Sequence, residues 1–80
     1  MFYKNDTTTT NLEVEFDLIG ISGTNTFYYM FYNNSTGTYN LTVNFPNLKM
    51  IDGSGSYVCA YMFYNYSTGT YNLTVNFPKL

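Results

Sequence analysis

Two stretches of this chain are nearly the same. YMFYNNSTGTYNLTVNFPNL, Tyr29–Leu48, returns as YMFYNYSTGTYNLTVNFPKL, Tyr61–Leu80, identical at 18 of 20 positions and offset by 32 residues. Only Asn34/Tyr66 and Asn47/Lys79 differ. A more diverged copy opens the chain: Met1–Phe16 lies over Met30–Phe45 at an offset of 29, with 10 of 16 positions matching. Any fold for this chain must accept the same element about two and a half times, and repeats of 20–50 residues point to arrays, solenoids or fibres. The chain is read as one repeat segment, residues 1–80, made of units 1–29, 30–61 and an incomplete 62–80. Met1 matches Met30 and Met62, and Lys79-Leu80 stops where Asn47-Leu48 runs on into Lys49-Met50-Ile51. The segment is therefore expected to belong to a longer repetitive chain or polymer.

Inside the repeat, Thr38–Phe45 alternates strictly. Tyr39, Leu41, Val43 and Phe45 fall on one face; Thr38, Asn40, Thr42 and Asn44 fall on the other. That period of two predicts a half-buried strand. Its copies are Thr70–Phe77 and Thr9–Phe16, the latter with Leu12, Val14 and Phe16 inward and Asn11, Glu13 and Glu15 outward. Pro46 and Pro78 end two of these strands, since proline cannot donate to a ladder.

The stretch before it, Thr26–Asn33, is aromatic throughout, as is its copy Tyr57–Asn65. Length and aromatic content favour a strand covered on both faces. Phe27, Tyr29 and Phe31 would then point one way, and Tyr28, Met30 and Tyr32 the other. Asn33-Asn34-Ser35-Thr36-Gly37 between the two predicted strands reads as a hairpin loop, with Gly37 supplying a positive φ. Ile19–Thr24 and Ile51–Ser56 read as flexible Gly/Ser connectors. No stretch has helical periodicity.

The composition narrows the function. Charged residues are 10% of the chain and aromatics 21%, with three lysines, no arginine and a net charge of −2. Nucleic-acid binding rests on Lys and Arg neutralising phosphates, so it is not expected. No apolar run reaches the roughly 18–20 residues of a membrane span. The N-terminal MFYKND lacks the apolar core of a signal peptide. The chain has no histidine, no phosphate-binding glycine loop and no nucleophile motif, and no enzyme activity is expected. Glu13, Glu15 and Asp17 read as a solvated, edge-protecting face; together with Asp6 they could instead make a weak Ca²⁺ site, and no other cofactor is implied. Cys59 reads as a small buried apolar residue, with an intermolecular disulfide as the sharper alternative.

Asn-x-Ser/Thr is over-represented. Asn5, Asn33, Asn34, Asn40, Asn65 and Asn72 each open such a triplet without an intervening proline, where 11 Asn and 17 Ser/Thr in 80 residues would give roughly two by chance. Duplication inflates the count, yet each site falls in a predicted turn or on a polar strand face, where a glycan could project into solvent. Tyr3-Lys-Asn5 and Tyr32-Asn-Asn34 also place an aromatic two residues before the asparagine, which resembles the aromatic sequon of glycoproteins. The phrase Gly-Thr-Tyr-Asn-Leu-Thr-Val, at Gly37–Val43 and Gly69–Val75, resembles a strand common in immunoglobulin-like and related β-sandwich modules of surface proteins. That resemblance covers seven residues and implies an all-β class only.

The expectation is an all-β fold: tandem hairpin units of period about 32 forming a small antiparallel sandwich or a stacked β-array, completed by neighbouring subunits. The expected role is structural, as part of an extracellular, glycosylated filament or surface array whose partners are further copies, added strand by strand, and glycans. Tyr28, Met30, Tyr32, Met62 and Tyr64 are the candidate assembly face. A carbohydrate-binding or adhesion repeat is the alternative reading, and an amyloid-like β-fibril the second.

Overall fold

The computed structural model describes residues 2–80; the place of Met1 in the repeat lies outside them. Seven strands occur among these residues, and no helix: β1 (Phe2–Lys4), β2 (Thr9–Glu15), β3 (Gly20–Ile21), β4 (Phe31–Asn33), β5 (Thr38–Asn44), β6 (Met50–Ile51) and β7 (Thr70–Asn76). They form three sheets, β1-β4, β2-β5-β7 and β3-β6, and every pairing is parallel. The chain thus winds as stacked coils. The first carries β1 to β3, the middle one β4 to β6, and the third β7, with Asn65 bridged to Asn33. Each coil lays its residues on their repeat equivalents, so Leu12 pairs with Leu41 and Leu41 with Leu73.

The alternating strands form where the sequence places them. The middle one, β5, buries every second residue, and Phe45 beyond it is fully buried as well. The antiparallel hairpin does not form. Within one unit β4 and β5 lie in different sheets, and Asn34–Gly37 turns a corner between them. The physical reason is the repeat itself. Parallel in-register stacking sets each apolar side chain on its like, so Phe16, Phe45 and Phe77 stack with centroids 5.2 and 4.9 Å apart. This matches the ~4.7–4.9 Å between neighbouring strands. A hairpin would pair β4 with β5, whose patterns do not match. The likeness to immunoglobulin-like strands accordingly stops at all-β, because those sandwiches are antiparallel.

Gly37 is required for space and not for a positive φ. A Cβ there would stand 2.1 Å from the carbonyl oxygen of Thr8, and one on Gly69 would stand 2.1 Å from that of Gly37. Both glycines let the corner of one coil press on the corner below, where Thr38 N–H donates to Thr8 O at 3.1 Å and Thr70 N–H to Gly37 O at 3.0 Å.

The connectors are partly ordered pairings: Gly20-Ile21 runs beside Met50-Ile51. They absorb two of the three residues by which the second repeat is longer. The spacing is 29 residues from Phe16 to its stacking partner Phe45, and 30 from Asp17 to Asn47, whose amide it accepts. Pro46 is therefore the first added residue. Ile21 pairs with Ile51, yet Gly23 faces Gly55, so the other two additions lie between Ile51 and Gly55.

The predicted aromatic strands are mostly absent. Only Phe31–Asn33 is extended; Thr26–Tyr29 and Tyr57–Phe63 are turns. Asn25, Phe27 and Tyr29 have φ of 57°, 55° and 50°, and Tyr57, Cys59 and Tyr61 have 58°, 56° and 53°. Every second residue is thus left-handed, at the same places in two coils. A left-handed residue cannot continue a pleat, and the expected two-faced alternation breaks there. Phe27 and Met30 pack on the core and Met62 joins it, while Tyr28, Tyr29 and Tyr32 share the outside.

The stack is flat. Its extents are 36 × 25 × 14 Å, and the short one is the stacking direction, a few strand spacings deep. The fully covered core therefore belongs to the middle coil: Phe31, Tyr39, Leu41, Val43, Phe45 and Leu48.

Candidate functional site: an outer tyrosine cluster and the ladders beside it

The left-handed turns gather tyrosines. Three ladders run up one side of the stack. Tyr3, Tyr32 and Tyr64 follow one another at 5.0 and 5.1 Å, Tyr29 stacks on Tyr61 at 5.0 Å, and Tyr28 lies 5.0 Å from Tyr57. Cross-contacts at 4.5–6.3 Å, Tyr66 included, join them into one network. Eight of the chain's 10 tyrosines belong to it. Tyr3, Tyr28, Tyr29, Tyr32 and Tyr64 border an open cleft of about 570 Å³. Partial burial among the rings, followed by the charge of neighbouring phenolates were they to form, holds the Tyr29 and Tyr32 phenols above their ordinary pKa. The cluster therefore offers neutral phenols and ring faces, suited to stacking and hydrogen bonding.

Of the residues expected to form an assembly face, Tyr28, Tyr32 and Tyr64 come together here, whereas Met30 and Met62 turn inward, Met62 into the core. Tyr3, Tyr29, Tyr57, Tyr61 and Tyr66 were not anticipated. Their signal was present in the repeat: Tyr3, Tyr32 and Tyr64 are one repeat position, and Tyr29 and Tyr61 another. It becomes readable once parallel stacking is known.

The polar residues form ladders too. Asn40 Nδ2 donates to Asn11 Oδ1 at 2.8 Å, and Asn72 Nδ2 to Asn40 Oδ1 at 2.7 Å. Asn76 donates to Asn44 at 2.6 Å, and Asn44 to Glu13 at 3.2 Å. Lys79 donates to Asn47 at 3.0 Å, and Asn47 to Asp17 at 2.7 Å. These ladders have one direction, each side-chain donor reaching toward the coil before it.

This arrangement sorts the sequon asparagines. Asn5, Asn34, Asn65 and Asn72 are exposed, and Asn40 is half-buried. Asn33 is fully buried, donating to Asn65 Oδ1 at 3.2 Å and accepting from the Ser35 hydroxyl at 2.8 Å. It has no path by which a sugar could project, which corrects the expectation that every sequon sits in a turn or on a polar face. Asn40 lies between two amides of its own ladder, one strand spacing away on each side, a gap narrower than a sugar. Asn5, at a corner, carries neither restriction; Asn34, also exposed at a corner, has only a long bond from its Nδ2 to the Tyr3 hydroxyl at 3.4 Å.

At the repeat position of Asn33 the first coil has Lys4. Its amine, buried, pairs with Asp6 and donates to Thr8 O at 2.8 Å. Hydrogen bonds from Lys4 and then from Thr8 hold the Asp6 carboxyl below its ordinary pKa. Asp6 is thus occupied by Lys4, and the proposed Ca²⁺ quartet does not converge: among the described residues no group of three or more acidic, His or Cys side chains is arranged to hold a metal ion. Cys59 is free and half-buried, and burial raises its thiol pKa. No helix among the described residues is long and apolar enough to cross a membrane. No protein-family model, no curated protein and no solved structure matches this chain.

Proposed function

We propose that the protein is a structural, self-associating β-array: an extracellular filament or surface-layer segment that extends by laying coil on coil, with glycans at its corners. One comparison carries the reading. Leu41 and Leu73 occupy the same place in identical strands, yet Leu41 is 1% exposed and Leu73 is 39% exposed. The difference is a covering coil. Adding one from a second copy would remove apolar surface from water, at ~25 cal/mol per Å². Two further features suit a head-to-tail junction. The Asn11–Asn40–Asn72 ladder ends on an Asn72 oxygen, which the Asn11 amide of a following copy fits. Lys79 would meet Asp17, giving opposite charges in the register that Asn47 now bridges. Asn5 and Asn34 are the favoured sugar positions, and a coat there would keep such arrays from pairing sideways, a task charged side chains usually perform.

Light scattering and electron microscopy of the 80-residue chain test this. Growth into unbranched filaments with rising concentration is expected. Leu73→Glu should stop growth and keep the fold, because its carboxylate reaches water in the monomer but is buried unpaired in a junction. Monomers at all concentrations, or normal filaments from Leu73→Glu, would refute the reading. Lysine at Met62, by contrast, would not test assembly, because Met62 lies in the core and its loss would unfold the chain. A strand-spacing reflection does not separate this assembly from an amyloid-like fibril either, since each molecule already contains that spacing. Mass spectrometry before and after deglycosylation checks Asn5 and Asn34.

The tyrosine cleft favours a second reading, a carbohydrate-binding repeat. Its ring faces and phenol hydroxyls match the apolar and polar sides of a sugar. Shifts of Tyr32 and Tyr64 ring resonances on adding oligosaccharide would support it; unchanged spectra would not.

A further inference from the structure

The tyrosine ladders place phenols of successive coils against each other in a geometry suited to covalent coupling. We propose that they are an oxidative cross-linking site, in which the stacked rungs Tyr32–Tyr64 and Tyr29–Tyr61 join as dityrosine when a peroxidase-type one-electron oxidant acts with hydrogen peroxide. Both partners of every bond lie in one chain, so the proposal goes beyond the assembly reading and does not depend on it.

Three observations carry it. The first is alignment. Tyr29 and Tyr61 are stacked at 5.0 Å with planes 12° apart, and Tyr32 and Tyr64 at 5.1 Å with 26°. Near-parallel rings on paired coils set one ortho edge above another; an edge-to-face pair, such as Tyr61 and Tyr64 at 81°, points an edge at a ring face instead. The second is access. Tyr3, Tyr61 and Tyr66 are well exposed, so an oxidant can take an electron at the surface. The third is connection. Neighbouring centroids 4.5–6.3 Å apart let a radical formed on Tyr66 or Tyr57 pass to a stacked pair. The chain has no tryptophan to divert it.

The chemistry balances. Each of two phenols gives one electron to the oxidant and its phenolic proton to water. The two radicals form a carbon–carbon bond between ortho positions. The hydrogen on each of those carbons then moves to its phenoxy oxygen and restores the ring. The pair has lost two hydrogen atoms, and one hydrogen peroxide has become two waters. Each bond bridges two coils that otherwise hold together by hydrogen bonds and packing.

The chain itself supplies a control. Tyr39 and Tyr71 are stacked at 5.3 Å with planes 11° apart, closely resembling the outer pairs, but Tyr39 is buried in the core. Stacking alone would couple them; stacking with access would not.

The test treats dilute protein, carrying Cys59→Ser to remove the thiol as a competing radical sink, with horseradish-type peroxidase and hydrogen peroxide. Intact mass and tandem mass spectrometry of the monomer are then recorded. Expected are monomers lighter by two hydrogens per bond, with cross-linked peptides joining Tyr32 to Tyr64 and Tyr29 to Tyr61. Coupling should be at least about tenfold greater in the folded chain than in denaturant, since held partners react as if highly concentrated. Tyr32→Phe with Tyr61→Phe should abolish these products while leaving the circular dichroism spectrum unchanged. Unaltered monomer mass, coupling equal in denaturant, or Tyr39–Tyr71 as the main product would overturn the proposal.

Discussion

Asn33 shows what a single residue does here. It is fully buried, and the Ser35 hydroxyl, also buried, donates to it. Replacing it with leucine of similar size leaves that hydroxyl and the facing Asn65 amide without their partner. Asn33→Leu is expected to cost about 1–3 kcal/mol, read as a lower urea midpoint, and a neutral result would show that water replaces the amide. Gly37→Ala forces a Cβ to within 2.1 Å of a backbone carbonyl oxygen, whereas Gly53→Ala meets nothing within 4 Å. The first should destabilise by about 1–3 kcal/mol, as overpacking does, and the second should be nearly silent. Titratable residues set both pH limits. Asp6 is held below its ordinary 3.8 by Lys4, so its contribution is present above pH 3.8 and is lost as pH falls through the lowered value. Burial holds the Cys59 thiol above its ordinary 9.0 and the Tyr39 and Tyr71 phenols above their ordinary 10.0. Their contribution is whole below pH 9 and is lost as pH climbs further, when the unfolded chain ionises first. Urea midpoints measured across pH should be flat between these limits and fall outside them.

At the scale of an element, the left-handed turn Asn25–Tyr29 and its copy Tyr57–Tyr61 are the places where local preference and tertiary structure conflict. Bulky residues in that region cost roughly 1–2 kcal/mol each. The chain itself shows the relief: the first copy begins with asparagine, which tolerates the conformation, where the second has Tyr57. Tyr57 is exposed and contributes one ring contact, with Tyr28. Tyr57→Asn should therefore raise the melting temperature, by an amount corresponding to about 0.5–1 kcal/mol after the lost aromatic pair is subtracted. A fall would mean that the ring network contributes more than the backbone conformation costs.

For the whole molecule, cover decides stability. Leu41 has a coil on either side and Leu73 on one. In the monomer, Leu41→Ala should cost about 2–5 kcal/mol, as for a buried leucine, and Leu73→Ala clearly less. In assembled material the two should converge, because a junction would bury Leu73 as Leu41 is buried now. Denaturation of both variants at low and high protein concentration checks this, and a gap that stays constant would argue against coil-on-coil junctions.

The strands β2, β5 and β7 were legible because alternation of apolar and polar residues is a local property, and a strand half-buried by any partner shows the same pattern. The all-β class followed from it. The partner of each strand was not legible. Tyr39, Leu41, Val43 and Phe45 would face inward equally in a hairpin or in a coil, so only the tertiary structure decided that the chain runs parallel, residue upon equivalent residue. Gly37 showed the same ambiguity, since a glycine kept for positive φ and one kept for close approach of two backbones look alike in sequence. The tyrosine cluster was hidden for a related reason. Tyr28 and Tyr29 are adjacent, and neighbours in a strand face opposite ways; the left-handed residues that bring them to one side are held by coil pairing and not by local preference. What the sequence determined is which residues need cover, and what the tertiary structure decided is which copy of the repeat supplies it.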